Sequence, residues 1–378
     1  MSPRSKEVTV SDPGVLLVGS VPLRPAARVF EAVSQHLGPL AHRIPDGEQS
    51  GWVRLAQQEH AHNDALEVAR QVPLNPHAAM QLNVYRLKSG LTAKDLSFGP
   101  YGYADNALES YAQFRQLREA GTILPGVRFQ VTLPGPGTTV YTVQVPAEDL
   151  LPAAREAQWR ELEQIVQAIP AEDLTIQFDI AMEAEHEEYL RRPVPFELPI
   201  QQVFHWSQAQ MADSVAWLAN RVPPEVELGF HICSIWHHYP EFGQDNAVLV
   251  DTANALVSRL RRPLGYVHIP IIPEHDRPED YAPLQNLRLP EGASLYLGLL
   301  NLADGLDGAR QRIGLAKAVV PRFGIGFYCG LGGGAAPLPP EGAEGRQSSA
   351  AYHTGLERAT PDTIGAVLDL HAEAARSL

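Results

Sequence analysis

Val226-Glu-Leu-Gly-Phe-His231-Ile-Cys233 is the stretch from which both the fold and a candidate site can be inferred. Its Val, Leu and Phe residues predict a buried β-strand, which ends in a histidine and a cysteine one residue apart. Side chains alternate along a strand, so His231 and Cys233 would face the same side. A borderline-soft nitrogen beside a soft sulfur suits zinc. The alternative is an ordinary strand end with a buried, hydrogen-bonded histidine.

Composition narrows the class of protein. The chain has 378 residues, a net charge of −14 and 44% hydrophobic residues, which is enough for a sizeable core. No basic run could offset phosphate charge, which argues against a nucleic-acid or anionic-membrane surface. No apolar run is long enough to span a bilayer, and residues 1–13 lack the apolar segment of a signal peptide. We therefore expect a cytoplasmic protein with no nucleic-acid or membrane partner.

The cysteine content adds a second pointer to a metal. Cys233 and Cys329 are the only cysteines, and each is predicted at the end of an apolar strand. They could be two ordinary buried thiols, or a disulfide that closes a long loop. A disulfide is disfavoured in a reducing compartment. Shared ligation of one metal fits the pair better.

The order of segments predicts the fold class. Roughly eight short apolar strands alternate with helices, without a break in composition. This pattern is typical of an α/β protein with a (β/α)8 TIM barrel, here formed by residues 1–378 as a single domain. A doubly wound sheet is the alternative, and it is disfavoured because no G-x-G-x-x-G follows an early strand.

Several segments outside the regular alternation are also predicted. A helix is expected over 50–72, and a β-excursion over 80–87. Residues 330–349, rich in Gly, Pro and Ala, predict an extended C-terminal loop that could cover a substrate. A closing helix follows over 360–378, with Thr360 as its N-cap. His237 and His238 could line a pocket beside the strand that ends at His231 and Cys233.

Polar residues at the predicted strand ends point to one site. In a (β/α)8 barrel the catalytic residues gather at the C-terminal ends of the strands. The polar residues predicted there are Ser20, Glu48, Asp179, His231, Cys233, His268, Asn301 and Cys329. A barrel would place all of them around one mouth.

The same segments resemble the C-terminal catalytic barrel of the cobalamin-independent methionine synthase family, in the family's order along the chain. They are Val18-Gly19-Ser20, Gly47-Glu48, Leu133-Pro-Gly-Pro-Gly-Thr138, Ile176-Gln-Phe-Asp179, His231-Ile-Cys233 and Cys329-Gly-Leu331. The uroporphyrinogen decarboxylases of the same superfamily share the barrel but lack the cysteine pair, so they match less well.

The resemblance implies a zinc ion held by His231, Cys233 and Cys329. It also implies a fourth ligand from the sixth barrel strand, where the family has a glutamate. His268 is the best-placed residue in this chain, and Glu274 is the alternative. The implied chemistry is activation of a thiol by the metal, so that the thiol can attack an alkyl carbon.

The resemblance further implies that Ser20, Glu48 and Asp179 hold the amino-acid part of a homocysteine-like thiol. Methyl transfer to it would give methionine, with a folate or corrinoid as possible donor. Tyr141 replaces an aromatic segment that stacks on folate, and Asp304 replaces a histidine that passes a proton to the leaving group. These departures leave two alternatives open. One is a zinc-dependent lyase or demethylase of the same superfamily, and the other is a non-catalytic zinc- or thiol-binding barrel.

Overall fold

The computed structural model describes residues 14–49, 51–73, 81–192, 206–234, 236, 242–332 and 358–378. The predicted loop over 330–349 is therefore described only at residues 330–332. The rest of that loop, together with His237 and His238, lies outside the described residues.

The strands form a barrel and a hairpin. The strands are β1 (Val15–Leu16), β2 (Arg43–Pro45), β3 (Leu66–Pro73), β4 (Gln81–Leu87), β5 (Arg128–Pro134), β6 (Leu174–Ile180), β7 (Glu227–Ile232), β8 (Tyr266–Pro270), β9 (Ser294–Leu300) and β10 (Gly324–Phe327). Strands β3 and β4 pair antiparallel, and the other eight form one parallel sheet in the order β1-β10-β9-β8-β7-β6-β5-β2. Parallel bridges from Val15 to Ala41 and from Ser20 to Gly47 join the two edges. The predicted (β/α)8 barrel is confirmed, whereas its extent as a single domain stays a prediction.

Helices surround the sheet. They are α1 (Ala26–Leu37), α2 (Trp52–His62), α3 (Tyr103–Glu119), α4 (Pro136–Val140), α5 (Ala147–Ala168), α6 (Met182–Arg191), α7 (Gln208–Ala219), α8 (Asn246–Val257), α9 (Pro278–Tyr281), α10 (Gly305–Lys317) and α11 (Ile364–Ala375). Within the described ranges, no helix combines the length and the apolar character that a membrane crossing requires. The predicted closing helix is present as α11, but Thr363 rather than Thr360 is its N-cap residue.

The prediction of one helix over 50–72 is wrong after residue 62. Helix α2 ends at His62, and the Asn63 side chain accepts a hydrogen bond from the Ala65 N–H at 3.0 Å, which turns the chain into β3. The segment continues the apolar spacing of a helix, but Val68 and Val72 are β-branched and favour a strand. Pairing with β4 decides the outcome. The predicted β-excursion over 80–87 is confirmed as β4.

Side chains fill the interior of the barrel below its mouth. Gln130 Nε2 donates to the Val18 carbonyl at 3.0 Å, and the Tyr266 hydroxyl donates to Gln177 Oε1 at 2.9 Å. Gln177 Nε2 in turn donates to Asp179 Oδ1 at 2.7 Å. These buried contacts connect β5, β6 and β8 with the chain just after β1. They therefore fix the strand ends that carry the predicted site.

A charged pair closes the opposite, N-terminal end of the barrel. Arg43 donates to both carboxylate oxygens of Glu227, at 2.8 and 2.7 Å. The guanidinium also stacks 4.5 Å from the centre of the Tyr266 ring and donates to the Tyr296 hydroxyl at 2.9 Å. The ion pair thus lies at the end of the barrel opposite the mouth that carries the predicted site residues.

Candidate active site

Three side chains that can bind a metal meet at the mouth of the barrel. His231 and Cys233 lie at the end of β7, and Cys329 follows β10. Their ligand atoms all lie within 4.8 Å of one another, and His231 Nε2 is 3.0 Å from Cys233 Sγ. In the part of the chain that the structure describes, this is the one group of this kind. The structure thus brings together the two pairs that the sequence singled out, H-x-C and the two cysteines.

This donor set fits zinc. Imidazole nitrogen and thiolate sulfur are its usual ligands, and a tetrahedral site separates them by roughly 3.5–3.8 Å. A hydrogen bond from Cys233 to Cys329 raises the pKa of Cys233 and lowers the pKa of Cys329, and burial raises the pKa of Cys233 further. A cation between the two sulfurs would favour the thiolate form of both. The three side chains therefore form a sulfur-rich cluster whose donor atoms match those that zinc prefers.

His268 lies beside the cluster, opposite His231 in the register of β7 and β8. The two Nδ1 atoms are 2.8 Å apart. The His268 ring packs so closely on Gly298 and Gly326 that an added Cβ would lie 3.1 and 2.8 Å from ring atoms. Burial lowers the pKa of His268, and the neighbouring His231 lowers it further, so the ring is neutral. Its role as fourth ligand stays a prediction.

Glu274, the alternative fourth ligand, lies exposed in the turn after β8 and outside the three-residue cluster. The adjacent His275 is buried and already hydrogen-bonded, to the Asn246 side chain at 3.0 Å and to the Gln244 carbonyl at 3.2 Å. His275 is therefore occupied in holding the turn. Ligation by Glu274 also stays a prediction.

Ser20 lies next to the segment that follows Cys329. The Ser20 carbonyl accepts a hydrogen bond from the Leu331 N–H at 2.8 Å, and Ser20 Oγ accepts one from the Gly332 N–H at 3.3 Å. A Cβ on Gly330 would lie only 2.0 Å from Ser20 Oγ. Glycine at position 330 is what allows the first and last barrel strands to approach each other here.

Glu48 and Asp179 form the carboxyl end of the site. Glu48 has a φ of 55°, which is rare for a non-glycine residue. Its Oε1 packs so closely on Gly19 that a Cβ added to Gly19 would lie only 2.3 Å from it. Burial raises the pKa of Glu48 to about 8, and the charge of Cys329 contributes. Burial also raises the pKa of Asp179, with further contributions from Glu48 and Cys329. The mutual repulsion of these groups creates a pocket that favours a cation.

The two residues predicted on the donor side are engaged in other ways. Tyr141 is buried at the C-terminal end of α4. Asp304 precedes α10 and accepts two hydrogen bonds from the buried Arg312, at 2.6 and 2.9 Å. Arg312 also donates to the Leu299 carbonyl at 2.8 Å, so the Asp304–Arg312 ion pair connects the start of α10 to β9. Proton donation by Asp304 and a donor-binding role for Tyr141 stay predictions.

One buried acid beside the mouth was missed from the sequence. Glu183, in α6, accepts hydrogen bonds from the Thr138 N–H at 3.0 Å and from the Thr138 hydroxyl. A Cβ on Gly135 or Gly137 would lie 2.3 or 2.9 Å from Glu183 Oε1, which explains why both positions are glycine. An acidic helix usually indicates a solvated face. Only the spacing of glycines in the 133–138 segment hinted that a side chain approaches that backbone.

The fold and the site together define a parallel (β/α)8 barrel with a His–Cys–Cys cluster at its C-terminal mouth. No family model and no curated protein matches the chain. Among solved structures, the chain is similar to a candidate vitamin-B12 independent methionine synthase from Listeria monocytogenes, with a TM-score of 0.54 and 13% identity. The match covers 97% of this chain and 98% of that chain. At this identity the likeness shows the fold alone.

Proposed function

We propose that this chain is a zinc-dependent alkyltransferase that adds a methyl or other alkyl group to a thiol. The specific form proposed is transfer to homocysteine, which gives methionine. The observation that carries the proposal is the meeting of His231, Cys233 and Cys329 with the half-buried Glu48 and the buried Asp179 at one mouth. One end of the pocket suits a sulfur-binding metal, and the other suits an ammonium group.

The protein groups have separate roles in this proposal. Bound zinc would supply the positive charge that lets an incoming thiol lose its proton near neutral pH. His231, Cys233 and Cys329 would hold the ion, with His268 or Glu274 as the proposed fourth ligand. Glu48 and Asp179 would receive the substrate's ammonium group, whose charge offsets their repulsion. The thiolate sulfur then forms a bond to the alkyl carbon while the bond from that carbon to the donor breaks.

The Asp304–Arg312 ion pair bears on the choice of donor. Both carboxylate oxygens of Asp304 accept hydrogen bonds from Arg312, so neither is free to reach a leaving group. Asp304 would have to leave Arg312 before it could protonate a leaving group. Donors whose leaving group departs without a proton, such as a methylsulfonium compound, should therefore react faster than methyltetrahydrofolate.

Product formation tests the proposal. Zinc-loaded protein is incubated with homocysteine and, in separate reactions, with methyltetrahydrofolate, its polyglutamates, methylcobalamin or S-methylmethionine, each with a carbon-13 methyl group. Labelled methionine is expected with at least one donor, and it should disappear in Cys233→Ser and Cys329→Ser. Glu67→Gln, in the exposed pair with Arg86, is the control that should keep full activity.

A negative result is also informative. No labelled methionine from any donor, by protein that binds both zinc and homocysteine, would contradict the transferase proposal. It would favour a lyase or demethylase acting on another substrate, or a barrel that only binds the metal and the thiol.

A further inference from the structure

We propose that Arg358 is the receptor for the oxyanion of the thiol substrate, which for an amino-acid thiol is its carboxylate. The inference rests on the proposed function for the identity of the thiol, but the anion site itself follows from separate observations. Residue 358 lies far along the chain, beyond every segment that the sequence tied to the site.

Backbone hydrogen bonds hold the segment around Arg358 against the site. The Ala359 N–H donates to the Leu331 carbonyl at 3.1 Å. The Leu331 N–H donates to the Ser20 carbonyl at 2.8 Å. Leu331 is two residues beyond Cys329, so Arg358 is attached to the loop between the proposed metal ligand and Ser20.

The guanidinium of Arg358 is buried but makes no hydrogen bond. Its Nε and both terminal nitrogens are shielded from solvent, and none has a partner. An arginine cannot relieve this by losing its proton, because its guanidinium stays charged in proteins. Buried charges in native proteins are normally paired, since an unpaired one costs substantial free energy. An unpaired buried guanidinium at a site therefore indicates that an anion is missing.

The charge of Arg358 acts on the carboxyl end of the candidate site, where it opposes the rise in the pKa of Glu48. No hydrogen bond joins the guanidinium to Glu48, which leaves its planar set of donors for a ligand. Such a fork matches the two oxygens of a carboxylate.

The site then contains three groups of residues, one for each of the three functional groups of an amino-acid thiol. The cluster of His231, Cys233 and Cys329 would take the sulfur. Glu48 and Asp179 would take the ammonium group, and Arg358 the carboxylate. A sulfonate offers the same oxyanion chemistry, so a thiol sulfonate is the second source that the experiment must separate.

Binding rather than turnover tests this inference. Full-length protein is loaded with Co²⁺, whose absorption spectrum reports sulfur ligation. It is titrated with L-homocysteine, with 3-aminopropane-1-thiol, which lacks only the carboxylate, and with 3-mercaptopropanesulfonate. The variants are Arg358→Gln, Arg358→Lys and, as a control, the exposed Arg310→Gln. Thermal melting verifies that each variant is folded.

We expect the wild type to bind homocysteine at least about tenfold more tightly than the aminothiol, and Arg358→Gln to remove that preference, since hydrogen bonds to charged groups are strong. Arg358→Lys, which keeps the charge but not the fork, should retain part of the preference and also serves if Arg358→Gln does not fold. Arg310→Gln should behave like the wild type. A sulfonate that binds more tightly than homocysteine, and loses affinity in Arg358→Gln, would identify the sulfonate as the anion.

Two results would overturn the inference. One is an equal affinity of the wild type for homocysteine and the aminothiol. The other is an Arg358→Gln variant that weakens both thiols equally. If no thiol changes the cobalt spectrum, the proposed function fails instead. The anion site is then tested by calorimetric titration of metal-free protein with L-2-aminobutyrate, where binding by the wild type but not by Arg358→Gln supports the inference and binding by neither or by both contradicts it.

Discussion

His231 Nδ1 and His268 Nδ1 lie 2.8 Å apart at the ends of neighbouring parallel strands. Two imidazole nitrogens at this distance share one hydrogen, so the contact fixes the tautomer of both rings. With Nε2 of His231 directed at Cys233, its Nδ1 can carry the hydrogen and donate it to His268. Histidine ligands are commonly oriented by such a partner.

His268→Ala tests what this contact does. As an orienting partner, His268 should contribute about 10–100-fold to zinc affinity, while the variant still binds zinc at saturation. Competition with a chelating indicator measures the affinity, and His62→Ala, at an exposed helix end, is the control. Complete loss of zinc binding would make His268 a direct ligand, as the sequence predicts. Unchanged affinity would contradict both roles.

Glu227→Gln tests the charged pair at the other end of the barrel. Burial opposes ionisation of Glu227, but the charge and hydrogen bonds of Arg43 outweigh it and lower the pKa of Glu227. The variant leaves Arg43 buried without a counter-charge, so the free energy of unfolding should fall by about 3–5 kcal/mol in urea titrations. Glu67→Gln, in an exposed pair, should cost less than about 1 kcal/mol. Equal losses in the two variants would refute this account of the pair.

His371 predicts a pH dependence of stability. Its Nδ1 donates to the Val367 carbonyl at 2.7 Å, and burial lowers its pKa to about 4. The pKa of His371 in the folded state lies below its value of about 6.5 in the unfolded state. Neutral His371 therefore contributes its full share to the free energy of unfolding above about pH 6.5, and this share is lost as the pH falls toward 4. The loss amounts to about 3 kcal/mol. Unfolding measured across this range should show a shallower pH slope in His371→Leu than in the wild type, and an unchanged slope in His62→Leu. A slope in His371→Leu as steep as that of the wild type would contradict the prediction.

Gly330→Ala tests the close approach beside Ser20. The added methyl would lie 2.0 Å from Ser20 Oγ and 3.2 Å from the Ser20 nitrogen, so backbone as well as side chain must move. We expect a loss of about 1–3 kcal/mol in the free energy of unfolding, together with weaker thiol binding. Gly314→Ala adds its methyl in open space within α10 and should stabilise the protein by up to about 1 kcal/mol. If neither substitution changes the free energy of unfolding, the close approach of Gly330 to Ser20 is not required for stability.

The barrel could be predicted because the alternation of strands and helices is a local pattern that survives folding. The same pattern placed His231, Cys233 and Cys329 at strand ends, where the structure brings them together. The particular partner of a strand or of a charged side chain could not be predicted in this way. The pairing of β3 with β4 overrode a helical spacing, and Arg312 engaged the carboxylate of Asp304.

The burial of particular charged residues also could not be predicted from the sequence. Glu183 and Arg358 lie in polar segments that a sequence would assign to solvent, and the structure buries both charged groups. Their environment depends on Thr138, 45 positions from Glu183, and on the loop after Cys329, which no local pattern encodes. The meeting of His231, Cys233 and Cys329 was therefore predictable, and the burial of the Arg358 guanidinium was not.

Metal analysis of purified protein tests the central claim most directly. If His231, Cys233 and Cys329 form a zinc site, the wild type should contain about one zinc per chain by mass spectrometry. Cys233→Ser and Cys329→Ser should each lose most of it, whereas His62→Ala should retain it. Zinc content that is unchanged in both cysteine variants would contradict the site, and with it the proposed function.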